Sequence, residues 1–400
     1  MPTNDTSASI AIAGRPIGAG VPAYLIAEVA QAHDGSLRTA HAFVDAAADA
    51  GADAIKFQTH IAAAESTREE PFRVAFSRQD ATRYDYWQRT GFSDEQWSGL
   101  AEHAHARGID FLSSPFSLEA VALLRRIGVP AWKVASGEVA TGALIDAMAT
   151  GGEPVLLSTG MSPFVDIDAA VDRLRAAAVR FAVLQCTSRY PTAYEEVGLN
   201  VIGELAARYR CPAGLSDHSG KVFPGIAAIA RGAAIVEVHL TLSRRAFGPD
   251  VPVSLTVEEL AQLVEARDAI HTMDSHPVDK DAAAEGLAGM RALFGRSLAP
   301  RSPLAPGTTI TEAMLVAKKP ASGIPVSALA EIVGRRVTRP VPADRLLCSE
   351  DLDVDAWAAG GPRATAAGAS RRRAAAYLHR RQQPRQLCAH QVRDARGTAA

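Results

Sequence analysis

Residues 24–59 read YLIAEVAQAHDGSLRTAHAFVDAAADAGADAIKFQT, and this stretch decides the fold. It opens on a short apolar run, YLIAEVA at 24–30, and crosses a polar loop. It then enters SLRTAHAFVDAAADAGA at 36–52, whose apolar residues recur at helical spacing. A second apolar run, DAIKFQT at 53–59, follows at once. An apolar strand, an amphipathic helix and another apolar strand predict a βαβ unit in a parallel sheet buried on both faces.

The same rhythm repeats outward from this unit. After a long insertion comes the helical SDEQWSGLAEHAHARG, followed by IDFLSS with LEAVALLRRIG, AWKVAS with ALIDAMATGG, and PVLLST with DIDAAVDRLRAAA. The last units are FAVLQCT with VIGELAARYR, PAGLS with FPGIAAIARGA, and AIVEVHLTL with VEELAQLVEARDAI. Eight regular strand-then-helix units favour an α/β chain closed into a (β/α)₈ TIM barrel over an open doubly wound sheet. The insertion, roughly residues 60–92, holds Arg68, Tyr84, Tyr86 and Trp87, and reads equally well as a solvated loop or as a substrate lid.

The expected boundaries are a barrel at 1–272 with an N-terminal β-hairpin, a linker at 273–295, a small mostly β module at 296–355, and a tail at 356–400. Proline and glycine break the module into short β-like runs. The tail is rich in alanine and arginine and reads as a disordered end rather than a nucleic-acid arm.

A formal charge of −2 makes neither nucleic acid nor an anionic membrane the default partner, and no run approaches the length of a membrane span. The four cysteines are scattered without CxxC spacing, and the first residues lack a basic start and an apolar core. Both features lead to the expectation of a reduced, cytoplasmic protein without an export signal.

Barrel chemistry sits at the C-terminal ends of the strands, and the unusual polar residues fall there. Glu28 ends the first strand, Lys56 and Gln58 lie two apart on the second, and KVASGE on the fourth carries Lys133, Ser136 and Glu138. Two buried ammonium groups would each cost several kcal/mol without anions, so an anionic ligand is expected between them. In GLSDHSG (214–220), Ser216 and His218 share one face of an extended chain while Asp217 faces the other way. His218 and His239 end adjacent strands, the seventh and eighth. Two neutral imidazoles near carboxylates such as Glu237 or Glu28 make a divalent-metal site with open positions.

In order along the chain, IAEVAQAHDGSL, IKFQTH, FLSSPFS, KVASGE, LLSTGMS, LQCTSRYPT, GLSDHS and GPDVPVSL together resemble the sialic acid synthase family. The resemblance implies a transferase that condenses phosphoenolpyruvate with an open-chain, N-acetylmannosamine-like aldose, giving a nine-carbon 2-keto-3-deoxy sugar acid and phosphate. It also implies that the small module is an antifreeze-like (SAF) domain reaching over the partner's active site in a domain-swapped homodimer. By motif position, the metal ligands would be His218 and His239, with manganese the usual ion and magnesium or cobalt alternatives. Phosphoenolpyruvate would meet Lys56, Ser114, Lys133, Ser136, Ser188 and Ser216, and Glu28 would lie near the reacting carbons. The aldose would meet Gln58, Glu138, Tyr190 and Asp250.

Three positions depart from the family pattern: Ala32 before His33, Ser188 in place of a frequent asparagine, and Lys319 in AKKPAS in place of an acceptor-binding arginine. Arginine and lysine differ in fork geometry, so Lys319 points to a different acceptor contact. The rival readings are a metal-dependent barrel hydrolase, which would want a His-x-His on the first strand, and a non-catalytic sugar-acid binding protein.

Overall fold

The computed structural model describes residues 9–72, 74 and 76–353; the arginine-rich tail lies outside the described residues. Strands β1 (Ile10–Ile12) and β2 (Arg15–Ile17) form an antiparallel hairpin. Eight strands follow: β3 (Tyr24–Ala30), β4 (Ala54–Thr59), β5 (Asp110–Pro115), β6 (Trp132–Val134), β7 (Val155–Ser158), β8 (Phe181–Cys186), β9 (Ala213–Asp217) and β10 (Ile235–Leu240). Their parallel ladders run β5-β4-β3-β10-β9-β8-β7-β6, and the two ends of that path pack side by side, closing the barrel. A two-residue strand, β11 (Ser254–Leu255), adds to β10.

Each barrel strand leads to a helix on the outside. The Leu37–Asp49, Asp94–Ala106, Leu118–Ile127 and Val257–Ser275 helices start where Ser36, Ser93, Ser117 and Thr256 accept a backbone N–H of the first turn. Their apolar stripes pack on the outward strand residues Leu25, Ala27, Ile55, Phe57, Trp132 and Val183.

Alternation sends the intervening residues into the barrel. Tyr24, Ile26, Ala54, Leu112, Leu156, Leu184 and Ile235 fill its lower half, and Ile10, Ile12 and Ile17 of the hairpin join that cluster. The packing leaves no room at Gly214, where a Cβ would lie 2.1 Å from the carbonyl oxygen of Ile235 and 2.8 Å from Leu184 Cδ2. The filled lower half is therefore a floor, and the polar strand ends stand above it.

Two compact units divide at Pro277 and Val278. The segment at 273–295, expected as a linker, is largely helical. The Val257–Ser275 helix runs on, and the Lys280–Gly286 and Ala288–Phe294 helices follow. Asp279 starts the first of these by accepting from the backbone of Asp281 and Ala282, and the Ala- and Leu-rich sequence favours helix over coil. The second unit pairs β12 (Ser297–Pro300) antiparallel with β13 (Leu315–Lys318) and adds isolated bridges and 3₁₀ turns. Leu298, Ile310, Leu315, Ile332, Val341 and Leu347 form its core.

Candidate active site

The face that is apolar on the barrel floor turns polar at the strand ends. Register sets the heights: Glu28 pairs with Lys56 and with His239, Gln58 with Ser114, and Ser216 with both Glu237 and Cys186. Together they enclose a cavity of about 360 Å³. Its walls include Glu28, Lys56, Gln58, Ser114, Lys133, Ser136, Ser188, Tyr190, Ser216, His218, His239 and Asp250.

One residue expected here is not on these walls. Glu138 ends a short 3₁₀ turn and accepts a hydrogen bond from Thr141 instead. Lys319, expected to act from the partner subunit, belongs to the second unit, where its ammonium lies 5.4 Å from the centroid of Phe294, so this cavity does not test it. His33, in the first loop, is buried against Phe92 outside the cavity.

The two lysines, between which an anionic ligand was expected, also face carboxylates of the chain itself. Lys56 Nζ is 2.7 Å from Glu28 and 3.7 Å from Glu237, and Lys133 Nζ is 3.5 Å from Glu237. Lys133 also donates to Ser158 Oγ at 2.7 Å, and Ser216 Oγ donates to Glu237 at 3.0 Å. All four charged groups are buried.

Burial raises Glu28 above the usual carboxylate range, with Lys56 opposing and Glu237 adding to the rise. Burial also penalises Glu237, but Lys133 and Lys56 outweigh it and hold this carboxyl below its ordinary value. Burial pulls Lys56 down, yet Glu237 and Glu28 leave it above the ordinary lysine value. Lys133 is pulled below that value by burial, which Glu237 only partly offsets. The cavity thus holds two cations of unequal proton affinity beside a carboxyl that takes a proton readily.

Beside Lys133, past Ser158, lies a cradle made by an absent side chain. A Cβ on Gly160 would lie 2.3 Å from Ser188 Oγ and 2.8 Å from both Cys186 Sγ and Ser136 Oγ. The backbone N–H of Gly160 donates to Ser136 Oγ at 3.2 Å. Small polar groups around an open backbone suit an anion's oxygens.

His218 and His239 stand with ring centroids 5.2 Å apart. Thr187 O, 3.0 Å from His218 Nδ1, can only accept, so Nδ1 carries a proton, while Nε2 lies 3.0 Å from Tyr190 OH. Burial lowers the proton affinity of His218, but Cys186 and Thr187 O outweigh it and leave it above the ordinary histidine value. His239 is held well below the usual histidine value by burial, with His218 and the two lysines adding to it, and its Nδ1 is buried without a partner. A backbone carbonyl that fixes the tautomer and an orphaned imidazole nitrogen both fit a metal site. Among the described residues no three His, Cys, Asp or Glu side chains are arranged to hold an ion, so a metal here would rest on two imidazoles.

The insertion is a packed wall. The Ala62–Glu65 and Arg83–Thr90 helices bury Tyr84, Tyr86 and Trp87 against Ala62, Phe72 and Phe76, while Arg68 stays exposed over the Tyr84 ring. Phe72, Val74, Phe76, Tyr86 and Trp87 reach the cavity, as do Gln31, His60, Arg83 and Phe116. Sequence reasoning did not single out Gln31, His60, Phe116, Gly160 or Cys186. All five lie within or beside the quoted motifs, but only the fold puts Gln31, His60 and Phe116 on the cavity wall and sets Gly160 and Cys186 beside Ser136, with Gly160 against Ser188 as well.

A sequence profile described as the NeuB family matches residues 43–278, and one described as the SAF domain matches 295–353. The N,N'-diacetyllegionaminic acid synthase of Legionella pneumophila is 30% identical over 352 residues, covering 85% of this chain and 97% of that protein. The human N-acetylneuraminate-9-phosphate synthase is 30% identical over 351 residues, covering 85% and 95%. Among solved structures, the N-acetylneuraminic acid synthetase of Leptospira borgpetersenii in complex with citrate superposes with a TM-score of 0.62 at 30% identity, covering 71% of this chain and 97% of that one.

Proposed function

This chain belongs to the NeuB family, and we propose that it joins phosphoenolpyruvate to the open-chain form of an N-acetylmannosamine-like aldose, giving a nine-carbon 2-keto-3-deoxy sugar acid and inorganic phosphate. The observation that carries the reading is one cavity with two buried lysines, a serine-lined cradle and a readily protonated carboxyl on the same barrel floor.

Lys56 and Lys133, with Ser114 and Ser216, take the carboxylate and one side of the phosphate; Ser136, Ser188 and the open backbone of Gly160 take the other. Held this way, the methylene carbon of phosphoenolpyruvate faces the space where Gln58, Tyr190 and Asp250 present the aldehyde of the sugar. A carbon–carbon bond forms between them. The aldehyde oxygen becomes an alkoxide and the former enol carbon a cation. Water adds to that carbon, and ionised Glu28 takes its proton. That proton passes to the alkoxide to make the product hydroxyl, while the proton of the added hydroxyl leaves with phosphate. Breaking the carbon–oxygen bond to phosphate leaves the ketone. A divalent ion on His218 and His239, manganese in this reading, would supply Lewis acidity to the aldehyde oxygen.

Two lysines against two carboxylates leave the empty cavity near neutral, so seating a multiply charged phosphate ester there favours a bound cation. The same reading takes the chain as a homodimer whose partner covers the barrel mouth. Among the described residues of the first unit, the exposed large apolar side chains other than Met273 all follow a barrel strand. Met161, Val165, Tyr194, Phe223, Leu242 and Phe247 stand in these loops and first helical turns. An apolar rim of this kind marks a surface that is covered.

Phosphate release from phosphoenolpyruvate, with manganese and a panel of aldoses, with and without chelator, tests the reading. Release that needs one sugar and disappears with chelator supports it; no release with any sugar, from folded protein, overturns it.

A further inference from the structure

His60 follows the last residue of β4, and its ring lies between Trp87, at 3.6 Å between centroids and 8° between planes, and Phe116, at 4.2 Å and 17°. The insertion and the loop after β5 therefore grip it from opposite sides. Both ring nitrogens are engaged: Nδ1 is 2.7 Å from Glu65 Oε1, and Nε2 is 3.2 Å from Gln58 Oε1. Gln58 Nε2 in turn donates to Glu28 Oε1 at 3.0 Å. The His60 and Glu65 side chains are only 5% and 7% exposed, so bulk water does not compete for these bonds.

Donor and acceptor capacities fix the sense of the chain. Ionised Glu28 only accepts, so Gln58 turns its NH₂ toward it and its carbonyl oxygen toward His60. That oxygen also only accepts, so His60 Nε2 carries a proton, and the 2.7 Å contact between Nδ1 and the Glu65 carboxyl then holds a second proton shared by that pair. Without this donor the amide could rotate and set its oxygen against the Glu28 carboxylate, two acceptors facing each other in a buried site.

We propose that His60 is a positioning residue: clamped by Trp87 and Phe116 and held by Glu65, it locks the Gln58 amide so that an N–H donor always faces Glu28. The role rests on the synthase reading, in which ionised Glu28 takes the proton of the attacking water. It gives the insertion a route to the proton-holding group through the Gln58 amide.

The test compares the full chain with His60→Phe, which keeps the aromatic sandwich and removes both nitrogens. The charged groups facing the ring, Glu65, Glu70 and Arg83, are unchanged in this variant. Expected are a KM for phosphoenolpyruvate within about twofold of the parent, a kcat lower by about tenfold or more, and an acid limb moved to higher pH because Glu28 has lost a fixed donor. A variant with the parent's kcat and pH profile overturns the proposal. Ring-nitrogen NMR of the parent, with His60 assigned by its perturbation in Glu65→Gln, decides the matter if His60→Phe does not fold: a protonated Nε2 supports it and a bare Nε2 overturns it. A parent without turnover on any aldose sinks the synthase reading alone, since the NMR measurement needs no turnover.

Discussion

Lys133 and Glu237, from β6 and β10, face each other at 3.5 Å across the barrel with both side chains buried. Glu237 is also the acceptor for Ser216 and the second anion beside Lys56, so three strands depend on one carboxylate. Glu237→Gln removes the charge without changing the shape. We expect it to lower stability by about 3 kcal/mol, the low end for breaking a buried pair. Phosphoenolpyruvate should raise the melting temperature more in the variant than in the parent, because the ligand restores the missing anion. Thermal scans with and without ligand check this, and equal ligand shifts would contradict it.

Gly160→Ala places a methyl group where Ser136, Cys186 and Ser188 converge. The KM for phosphoenolpyruvate should rise by about tenfold or more, equivalent to ~1.4 kcal/mol, while the aldose KM stays near the parent value. Steady-state kinetics with each substrate varied separately distinguishes this from a general loss of activity.

His218→Ala should abolish turnover, by about 100-fold or more, and leave the fold intact. Manganese titration followed by electron paramagnetic resonance should show the tight site lost in the same variant. Normal activity there would sink the metal assignment.

Burial holds Glu28 above the ordinary carboxyl value of 4.5. The mechanism needs it ionised, so kcat/KM should fall as pH drops through a midpoint above 4.5. Glu28→Gln should remove this limb together with about 99% of the activity.

His33, buried against Phe92, has its proton affinity lowered to about 3 by burial, with His60 adding to the effect, from an ordinary value of 6.5. Between those values the unfolded chain binds a proton that the folded chain does not, so stability rises with pH and is lost as pH falls below 6.5. Each unit in that window costs about 1.4 kcal/mol. Denaturant melts of the parent and of His33→Phe across this range check it, with the variant expected to show the shallower slope.

The βαβ rhythm was legible because it needs only local information. Apolar residues at a spacing of two or of 3.6 report which face is buried, and glycine and proline report where the chain turns. The helical segment at 280–294 was legible only as a linker: its exposed Leu287, Met290, Leu293 and Phe294 give no inward stripe to report. The insertion was legible only as an interruption. Its aromatic cluster is assembled by Phe72 and Phe76 meeting Tyr86 across the loop, a pairing that no spacing rule encodes.

By itself the sequence determined the eight strand-helix units, the polar strand ends and the family, because period, register and motif are properties of the chain in one dimension. Tertiary structure alone decided which charges meet. Lys133 and Glu237 are about a hundred residues apart in sequence, and closure of the sheet puts them face to face. It also decided that Glu138 turns to Thr141 rather than to the cavity, and that His60 is held between Trp87 and Phe116. Such pairings depend on strand tilt, register and packing summed over the whole barrel, and no local pattern carries that sum.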